Sequence, residues 1–314
     1  MPNKVLFLDT VHEILAQRLT AAGFECQFDY KSDREEIKKI LPELTGIVLR
    51  SRIKMDEDFL EHASSLKWIA RSGSGLENID LVLATQKKIE IINSPEGNRD
   101  AVGEHAIAML LMLLNNLKQA DYEVRKGVWD REINRGFELA GKTIGIIGFG
   151  VMGSGFAEKI SGFRCRVIAF DKYKVGFGNS LIEQVDLNTI FNESDILSIH
   201  LPLTDDTLFL VDKTFLNSFK KTFYLINTAR GKHVKISDLM DAIESGKVKG
   251  ACLDVLEFEK ASLEGLAIET VPEELIRLRN SDKVILSPHI AGWTVESYFK
   301  LSNVLADKIL SRSD

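Results

Sequence analysis

Short apolar runs alternate with amphipathic stretches along the first hundred residues. The predicted strands are Val5–Leu8, Phe24–Phe28, Ile47–Leu49, Trp68–Ala70 and Ile91–Ile92, and the predicted helices between them are Glu13–Ala22, Arg34–Leu41, Asp56–Ala63 and Asp80–Lys87. Gly23 and Pro42 follow the first two helices, where such residues commonly end a helix. Because strands alternate with helices, the pattern predicts a small α/β domain with a parallel sheet.

A second series of apolar runs begins after a long helical stretch, which starts near Arg99 and continues past Leu117. The segment AIAMLLMLL in that stretch is too apolar to face water, so it could be a buried linker between domains or a subunit contact. Strands are then predicted near residues 143–148, 166–170, 196–200, 223–227, 250–254 and 284–287. Six strands separated by helix-like segments suit a doubly wound nucleotide-binding fold.

The last helix, Val295–Leu310, carries apolar residues on one face and must pack on a partner. We expect that partner to be the first domain, which makes this domain discontinuous in sequence. The predicted fold class is therefore α/β with two doubly wound parallel-sheet domains. One domain comprises residues 1–97 and 293–314, and the other, residues 98–292, is inserted into it.

Composition narrows the class of protein further. A chain of 314 residues is long enough for two domains, and its net charge of −6, with scattered lysines and arginines, argues against nucleic-acid binding. Only four apolar residues precede Asp9, too few for a secretory signal, and the longest apolar run, Ala106–Leu114, is too short to cross a membrane. Three distant cysteines indicate buried thiols in a reducing compartment. We expect a cytoplasmic protein.

Residues 143–171 contain a dinucleotide-binding pattern of strand, glycine turn, helix, strand and acid. Gly148 suits a tight turn, Gly150 lets backbone N–H groups approach a pyrophosphate, and Gly153 lets the helix pack close to its strand. The first helical residues, Val151 and Met152, lie where a helix N-terminus favours phosphate. Asp171 follows the turn at the distance expected of an acid that binds an adenosine ribose.

Asp171 also favours NAD over NADP as the cofactor. A carboxylate accepts hydrogen bonds from ribose hydroxyls but repels a 2′-phosphate, by roughly 1 kcal/mol per charge pair at about 4 Å in bulk water. Lys172 and Lys174 follow directly and could soften this repulsion, so the preference is not absolute.

Ionisable groups follow three neighbouring strands of the second domain, at the sheet edge where ligands collect. These groups are Arg230, the acids Asp254, Glu257 and Glu259, and His289. Reduction of a 2-oxo acid needs a cation for the carboxylate and a proton donor for the carbonyl oxygen, and a carboxylate beside an imidazole keeps the imidazole protonated. Taken singly, Arg230 could cap a strand, Glu259 could be a solvated acid and His289 could bond a backbone carbonyl.

Seven ordered motifs carry a family resemblance: IARSGSGLENID, NSPEGNRDAVGEHA, GKTIGIIGFGVMG, IHLPLT, LINTARG, CLDVLEFE and LSPHIAG. The set resembles the D-isomer-specific 2-hydroxyacid dehydrogenases, and most of all their phosphoglycerate dehydrogenase branch without a regulatory domain. The resemblance implies a Rossmann NAD domain inserted into a flavodoxin-like substrate domain, with the active site in the cleft. Together with the apolar helix Ala106–Leu114, it also implies a homodimer. No metal is expected, because no cluster of residues has metal-ligand spacing and hydride transfer needs none.

The resemblance assigns roles residue by residue. Arg230, Glu259 and His289 match the catalytic arginine, glutamate and histidine. Asp254 matches an acid near the nicotinamide carboxamide, and His200, Pro202 and Thr207 would border the adenine and pyrophosphate. Further cofactor contacts are expected at Thr228, Ala229 and Gly292. Substrate contacts are expected at Arg50, Ser51, Lys54, Ser74 and Gly75, where extra cations would suit a phosphate.

Some features depart from the family pattern. Lys260 follows the glutamate where proline is common, and residues 260–280 form an insertion that could cover the active site or lie on the surface. The printed chain ends at Asp314 without the serine-binding module of some relatives, so no inhibition through that module is expected. Of the remaining histidines, His105 is expected in a core or interface, and His12, His62 and His233 in solvent.

The predicted function is an NAD-dependent oxidoreductase of a D-2-hydroxy acid, most similar to 3-phosphoglycerate dehydrogenase. Glyoxylate, hydroxypyruvate and D-lactate remain alternative substrates. An NAD-sensing binding protein related to corepressors, and a dehydrogenase of formate or phosphonate, remain alternative functions.

Overall fold

The computed structural model describes residues 3–260 and 265–312. Within these residues the strands form two entirely parallel sheets. The first sheet contains β1 (Asn3–Phe7), β2 (Phe24–Phe28), β3 (Gly46–Leu49), β4 (Trp68–Arg71) and β5 (Glu90–Asn93). The second contains β6 (Thr143–Ile147), β7 (Arg166–Phe170), β8 (Ile182–Gln184), β9 (Ile196–Ile199), β10 (Phe223–Asn227), β11 (Val248–Leu253) and β12 (Val284–Leu286).

Helices connect most of the successive strands, as is usual in parallel sheets, whereas β7 and β8 are joined by a loop. They are α1 (Ile14–Ala21), α2 (Arg34–Ile40), α3 (Glu57–Leu60), α4 (Leu81–Gln86), α5 (Arg99–Leu114), α6 (Leu117–Arg125), α7 (Val151–Ile160), α8 (Leu187–Glu193), α9 (Lys213–Ser218), α10 (Ile236–Glu244), α11 (Glu273–Asn280) and α12 (Val295–Leu310). None of the helices among the described residues is long and apolar enough to cross a membrane.

The described chain divides into two units. Unit 1 comprises residues 3–98 and 293–312, and unit 2 comprises residues 99–260 and 265–292. Unit 1 has the strand order β2-β1-β3-β4-β5, which is the flavodoxin-like order. The terminal helix α12 has the predicted bounds and buries Leu305, Ala306 and Ile309 in the unit 1 core, beside Leu15 and Leu19 of α1.

Unit 2 has the strand order β12-β11-β10-β9-β6-β7-β8, a Rossmann order with one further strand. The two α/β sheets of the predicted fold class are confirmed. The prediction of six strands in this unit missed β8, which has three residues, of which Ile182 is the one buried. So short a strand has too little alternation to stand out from a polar loop.

Helix α5 is shorter than the sequence predicted, and most of its apolar side chains are buried. The predicted continuous helix is interrupted at Asn116, whose φ of 52° is left-handed, and α6 begins afresh at Leu117. Most side chains of the apolar segment Ala106–Leu114 are buried in the core of unit 2 against β6 and α7, while Ala108 and Met112 are exposed. Burial within unit 2 therefore accounts for most of the apolar composition of this segment.

Candidate active site

The turn after β6 separates the roles of the three glycines. Gly148 has a φ of +93°, and a Cβ built there would lie 2.5 Å from the carbonyl oxygen of His200. A Cβ on Gly153 would lie 2.0 Å from the carbonyl oxygen of Gly148. These two glycines are therefore needed by the fold itself. Gly150 precedes α7, and a Cβ there would meet no atom within 4 Å.

The open space at Gly150 lies against the first turn of α7, which contains Val151, Met152 and Gly153. The first N–H groups of a helix have no acceptor within the helix and carry partial positive charge. An absent side chain at this point leaves room for a phosphate to approach those donors. The turn therefore fits the pyrophosphate of a dinucleotide.

Asp171, directly after β7, is fixed by backbone donors. Its Oδ2 accepts from Phe149 N at 2.7 Å, and its Oδ1 accepts from Tyr173 N at 2.9 Å and Lys174 N at 3.0 Å. Burial opposes ionisation, but these hydrogen bonds outweigh it and lower the pKa of Asp171. The carboxylate is thus ionised and retains acceptor capacity for a ribose hydroxyl.

The two lysines that could soften this negative charge have other partners. Lys172 Nζ lies 2.8 Å from Asp206 Oδ2, and Lys174 Nζ donates to the carbonyl oxygen of Phe149 at 3.1 Å. Lys172 is therefore neutralised locally, whereas Lys174 remains beside Asp171 and helps to lower its pKa.

His200, at the end of β9, is buried beneath the glycine turn. Its Nε2 lies 2.9 Å from Ser198 Oγ, and its ring packs 5.3 Å from the Phe156 ring. Burial lowers the pKa of His200 to about 4, so the imidazole is neutral at physiological pH. The backbone of His200, rather than a charge on its ring, shapes the turn.

The loop after β9 is held by its own hydrogen bonds. Thr207 Oγ1 donates to Pro202 O at 2.8 Å and accepts from Thr204 N at the same distance. His233 Nε2 also lies 3.2 Å from Pro202 O. The expectation of a solvated His233 is wrong, because the residue is fully buried, whereas His62 is exposed and His12 is half-buried against Tyr298 and Phe299.

The turn after β10 contains Thr228, Ala229 and Arg230 and is ordered by Asn227, which is fully buried. Asn227 Oδ1 accepts from Ala229 N at 3.1 Å, and its Nδ2 donates to Arg230 O at 2.9 Å. Thr228 Oγ1 is buried and has no hydrogen-bond partner among the described residues. Because a buried hydroxyl normally has a partner, this atom fits a site completed by a bound molecule.

The three acids after β11 have three different roles. Glu257 Oε1 accepts from Ile236 N at 2.8 Å, at the start of α10, and burial raises the pKa of Glu257. Asp254 is 1% exposed and accepts hydrogen bonds from the segment that carries His289. Glu259 instead points its Oε2 at the His289 imidazole. The sequence could not separate these acids, because their partners lie on other elements.

His289 and Glu259 form the central pair. His289 Nδ1 lies 2.7 Å from Glu259 Oε2, and the two side chains are 21% and 17% exposed. Glu259 Oε1 accepts from Leu256 N at 2.5 Å, which fixes the carboxylate. Since the carboxylate holds Nδ1, Nε2 is the ring atom left to exchange a proton with a ligand.

Strand register brings Arg230 to the same sheet edge as this pair. Asn227 pairs with Leu253, and Leu253 pairs with Leu286, so the three strands end level with one another. The Arg230 guanidinium donates to Ala229 O at 2.7 Å. Gly292 lies in the loop between β12 and α12, three residues after His289.

Sequence reasoning missed Ser287 and His105 at this edge. Ser287 Oγ donates to Asp254 Oδ1 at 2.6 Å, and His105 Nε2 lies 2.9 Å from Ser287 Oγ. Ser287 stands directly before Pro288 and His289, so its position in LSPHIAG was an available signal. His105 is 182 residues distant, and nothing local to it indicates this contact.

The expected substrate residues lie in unit 1, after β3 and β4. Asp9 Oδ2 accepts from the backbone N–H groups of Arg50 at 2.6 Å and Ser51 at 3.2 Å. The Arg50 guanidinium lies 4.2 Å from the centre of the Trp293 ring, a cation–π contact. Lys54 is exposed.

The loop after β4 is also ordered. Ser74 Oγ donates to Asn98 Oδ1 at 2.9 Å, and Asn93 Nδ2 donates to Ser74 O at 2.8 Å. Gly75 follows in the same loop and is half-buried. These contacts fix the backbone from which the expected N–H donors project.

Part of the expected insertion at 260–280, residues 261–264, lies outside the described residues. Of the rest, Leu266 pairs with Glu259 in an isolated antiparallel bridge. Leu266 and Ile268 pack against the unit 2 core, and Arg277 of α11 forms ion pairs with Asp241 and Glu244 of α10. No group of three or more possible metal ligands occurs among the described residues.

The chain is similar in sequence to several known proteins. Residues 107–291 match the family model for the NAD-binding domain of D-isomer-specific 2-hydroxyacid dehydrogenases. The chain is 34% identical over 310 residues to D-3-phosphoglycerate dehydrogenase of Archaeoglobus fulgidus, covering 98% of this chain and 57% of that protein. It is 35% identical over 277 residues to hydroxypyruvate reductase of Thermotoga maritima, covering 88% of this chain and 87% of that protein.

A solved structure is also similar: D-lactate dehydrogenase of Aquifex aeolicus in complex with NAD and lactic acid, with a TM-score of 0.82 and 27% identity over 98% of this chain and 95% of that chain. The chain spans little more than half the length of several phosphoglycerate dehydrogenases that it matches. It spans most of the length of the hydroxypyruvate reductase. The matched model, the identities over most of the chain and the two sheets lead to one conclusion. The protein belongs to the D-isomer-specific 2-hydroxyacid dehydrogenase family.

Proposed function

We propose that this protein is an NAD-dependent reductase of 2-oxo acids and dehydrogenase of the corresponding D-2-hydroxy acids. The observation that carries the proposal is the 2.7 Å pair of His289 and Glu259, on the sheet edge that also holds Arg230. The glycine turn after β6 belongs to the same sheet. An acid–base pair, a cation and a dinucleotide turn are the parts that this reaction needs.

When bound, NADH supplies the hydride for the substrate carbon. Arg230 binds the carboxylate of the 2-oxo acid and polarises its carbonyl. His289 Nε2 donates a proton to the carbonyl oxygen as it becomes a hydroxyl. Glu259 holds Nδ1, orients the ring and stabilises its protonated form. In the oxidative direction, His289 takes up the same proton.

The cofactor is assigned to unit 2. Gly148, Gly150 and Gly153, with Val151 and Met152, would hold the pyrophosphate, and Asp171 the adenosine ribose. The remaining residues assigned to the cofactor are His200, Pro202, Thr207, Thr228, Ala229, Asp254 and Gly292. The orphaned hydroxyl of Thr228 and the open space at Gly150 support this assignment. The fixed carboxylate of Asp171 supports NAD over NADP.

Substrate contacts are assigned to unit 1. Ser74 and Gly75 would donate backbone N–H groups to the carboxylate, and Arg50, Ser51 and Lys54 would bind a distal anionic group. Two cations near one loop suit a phosphate, so we propose 3-phosphoglycerate and its 2-oxo product as the substrate pair. That assignment would place the protein in serine biosynthesis.

The test is NADH oxidation with phosphohydroxypyruvate, hydroxypyruvate, glyoxylate and pyruvate in parallel. A kcat/KM for phosphohydroxypyruvate at least about tenfold above the others supports the phosphoglycerate assignment. If kcat/KM for the smaller acids is comparable to that for phosphohydroxypyruvate, the protein is instead a general reductase of the glyoxylate, hydroxypyruvate or D-lactate type. Binding of NADH without turnover of any acid contradicts the enzymatic proposal and favours an NAD-sensing binding protein.

We further propose a cytoplasmic homodimer. The three cysteines are unpaired, and burial raises the pKa of each thiol, which fits a reducing compartment. Large exposed apolar side chains are concentrated between residues 117 and 137: Leu117, Tyr122, Val124, Val128, Trp129, Ile133 and Phe137. A second copy of this chain would cover them.

Sedimentation equilibrium tests the dimer. The wild type should have twice the chain mass, and Trp129→Asp should shift the equilibrium towards the monomer, because Trp129 is 81% exposed in the single chain. Val82→Asp, at a 70% exposed position of unit 1, is the control and should remain dimeric. A wild-type mass equal to one chain contradicts the proposal.

A further inference from the structure

Asp254, directly after β11, accepts hydrogen bonds from the whole segment His289–Ala291. Its Oδ1 accepts from Ile290 N at 2.9 Å, and its Oδ2 accepts from Ala291 N at 2.8 Å. Its backbone oxygen accepts from His289 N at 2.7 Å. Three consecutive N–H groups of this segment therefore donate hydrogen bonds to one buried residue.

The segment needs such support because His289 is strained. Its φ of 57° lies in the left-handed region, which costs a residue with a side chain about 1 kcal/mol or more. The strained backbone aims the imidazole at Glu259. If Asp254 moved, the turn could relax and the imidazole would leave its partner.

The Asp254 carboxylate also bonds Ser287, which in turn bonds His105. The Ser287 hydroxyl donates its single proton to Asp254 Oδ1 at 2.6 Å. That proton cannot also be given to His105, so His105 Nε2 must donate to Ser287 Oγ, at 2.9 Å. Asp254 Oδ1 lies 3.6 Å from the same Nε2, so the chain of donors runs from His105 towards the carboxylate.

A rigid element anchors the start of this chain. His105 lies in α5, where Ala106, Met109 and Leu110 are buried in the unit 2 core. Helix α5 also packs against β11 and β12, the strands that end directly before Asp254 and Ser287. Glu104, the acid next to His105 on α5, forms an ion pair with Lys159.

We propose that His105 is a positioning residue for proton transfer, acting through Ser287 and Asp254 on the turn that carries His289. This inference rests on the proposed role of His289 as the proton donor. It assigns a function to a histidine that touches neither His289 nor Glu259 in any described contact. It also assigns the Asp254 carboxylate to the support of the turn.

The test compares His105→Leu with His105→Gln, whose amide can still donate, and Ser287→Ala with Ser287→Thr, which keeps the hydroxyl. The Leu and Ala variants should lower kcat by about 10- to 100-fold, as expected for a misplaced catalytic group. The Gln and Thr variants should recover most of kcat. The double variant His105→Leu/Ser287→Ala should lose no more than Ser287→Ala alone, since both act on one chain of bonds.

Amide hydrogen exchange of the peptide containing residues 287–291 gives a readout independent of turnover. His105→Leu should accelerate exchange there, and His105→Gln should not. If the wild type turns over no 2-oxo acid but the exchange result holds, His105 still positions the turn and the proposed function fails. If His105→Leu has wild-type kcat and wild-type exchange, or if the losses add in the double variant, the positioning role of His105 is overturned.

Discussion

His289 and Glu259 are joined by a 2.7 Å contact between imidazole Nδ1 and carboxylate Oε2, although 30 residues separate them in sequence. Asp254, five residues before Glu259, holds the backbone of the same histidine. One acidic strand end therefore both supports the turn and supplies the partner of the ring.

Replacing the carboxylate of Glu259 tests its electrostatic role. Glu259→Gln keeps the size of the side chain but removes the charge that stabilises a protonated imidazole, so kcat should fall by about 10²-fold or more. The Kd for NADH should not change. Glu257→Gln is the matched control, because Glu257 bonds the start of α10, and its activity should stay near wild type. Equal losses in the two variants would contradict the assignment.

Gly150→Ala tests the pyrophosphate site. The new Cβ meets no atom within 4 Å, so the unfolding temperature without NADH should hardly change. The Kd for NADH should nevertheless rise by about tenfold or more (about 1.4 kcal/mol), because the methyl group would occupy the space of the phosphates. Gly162→Ala also places its Cβ in open space and should bind NADH normally. Equal affinities in the two variants would place the cofactor elsewhere.

Asp171→Ser tests cofactor preference. Removing the carboxylate relieves a repulsion of roughly 1 kcal/mol in bulk water, so the ratio of kcat/KM for NADPH over NADH should rise about fivefold or more. Asp241→Ser is the control, since Asp241 is an exposed acid of α10 paired with Arg277, which keeps its second partner Glu244. Steady-state kinetics with each nucleotide give the ratios. An unchanged ratio in Asp171→Ser would exclude Asp171 as the selecting residue.

His200 predicts a specific loss of stability in acid. Burial lowers its pKa from 6.5 to about 4, so the folded protein binds this proton less readily than the unfolded chain. Its contribution is complete above the unfolded pKa and is lost as the pH falls from about 6.5 towards 4. The free energy of unfolding of the wild type relative to His200→Asn should drop by about 2 kcal/mol between pH 7.5 and pH 5.

Urea denaturation at the two pH values measures that difference. His62→Asn, at an exposed position, is the control and should track the wild type at both values. If the free energy of unfolding changes equally with pH in the wild type and in His200→Asn, the pKa of His200 is not lowered in the folded protein.

The bounds of an element could be predicted from the sequence where its local pattern of capping and apolar residues agrees with its packing in the fold. Helix α12 has its predicted bounds because Thr294 caps its start and its apolar face has one place to pack. The break at Asn116 was missed because a left-handed residue other than glycine leaves no strong signal. The burial of His233 was missed because its partner, Pro202, lies on another loop.

The candidate site was predictable in its residue types but not in its connections. The register of β10, β11 and β12 explains why Arg230, Glu259 and His289 could be grouped from strand ends alone. The link from His105 to Asp254 depends on how α5 packs beside β11, which no local pattern encodes. Likewise, the backbone donors that fix Asp171 are visible only once the turns are folded.

The central claim is that His289 donates the proton while NADH binds independently of it. The most direct measurement is single-turnover oxidation of NADH by a 2-oxo acid in wild type and His289→Asn, with the Kd for NADH measured in parallel. We expect rapid oxidation by the wild type, a loss of about 10²-fold or more in the variant, and equal Kd values. Equal rates in the two proteins would contradict it.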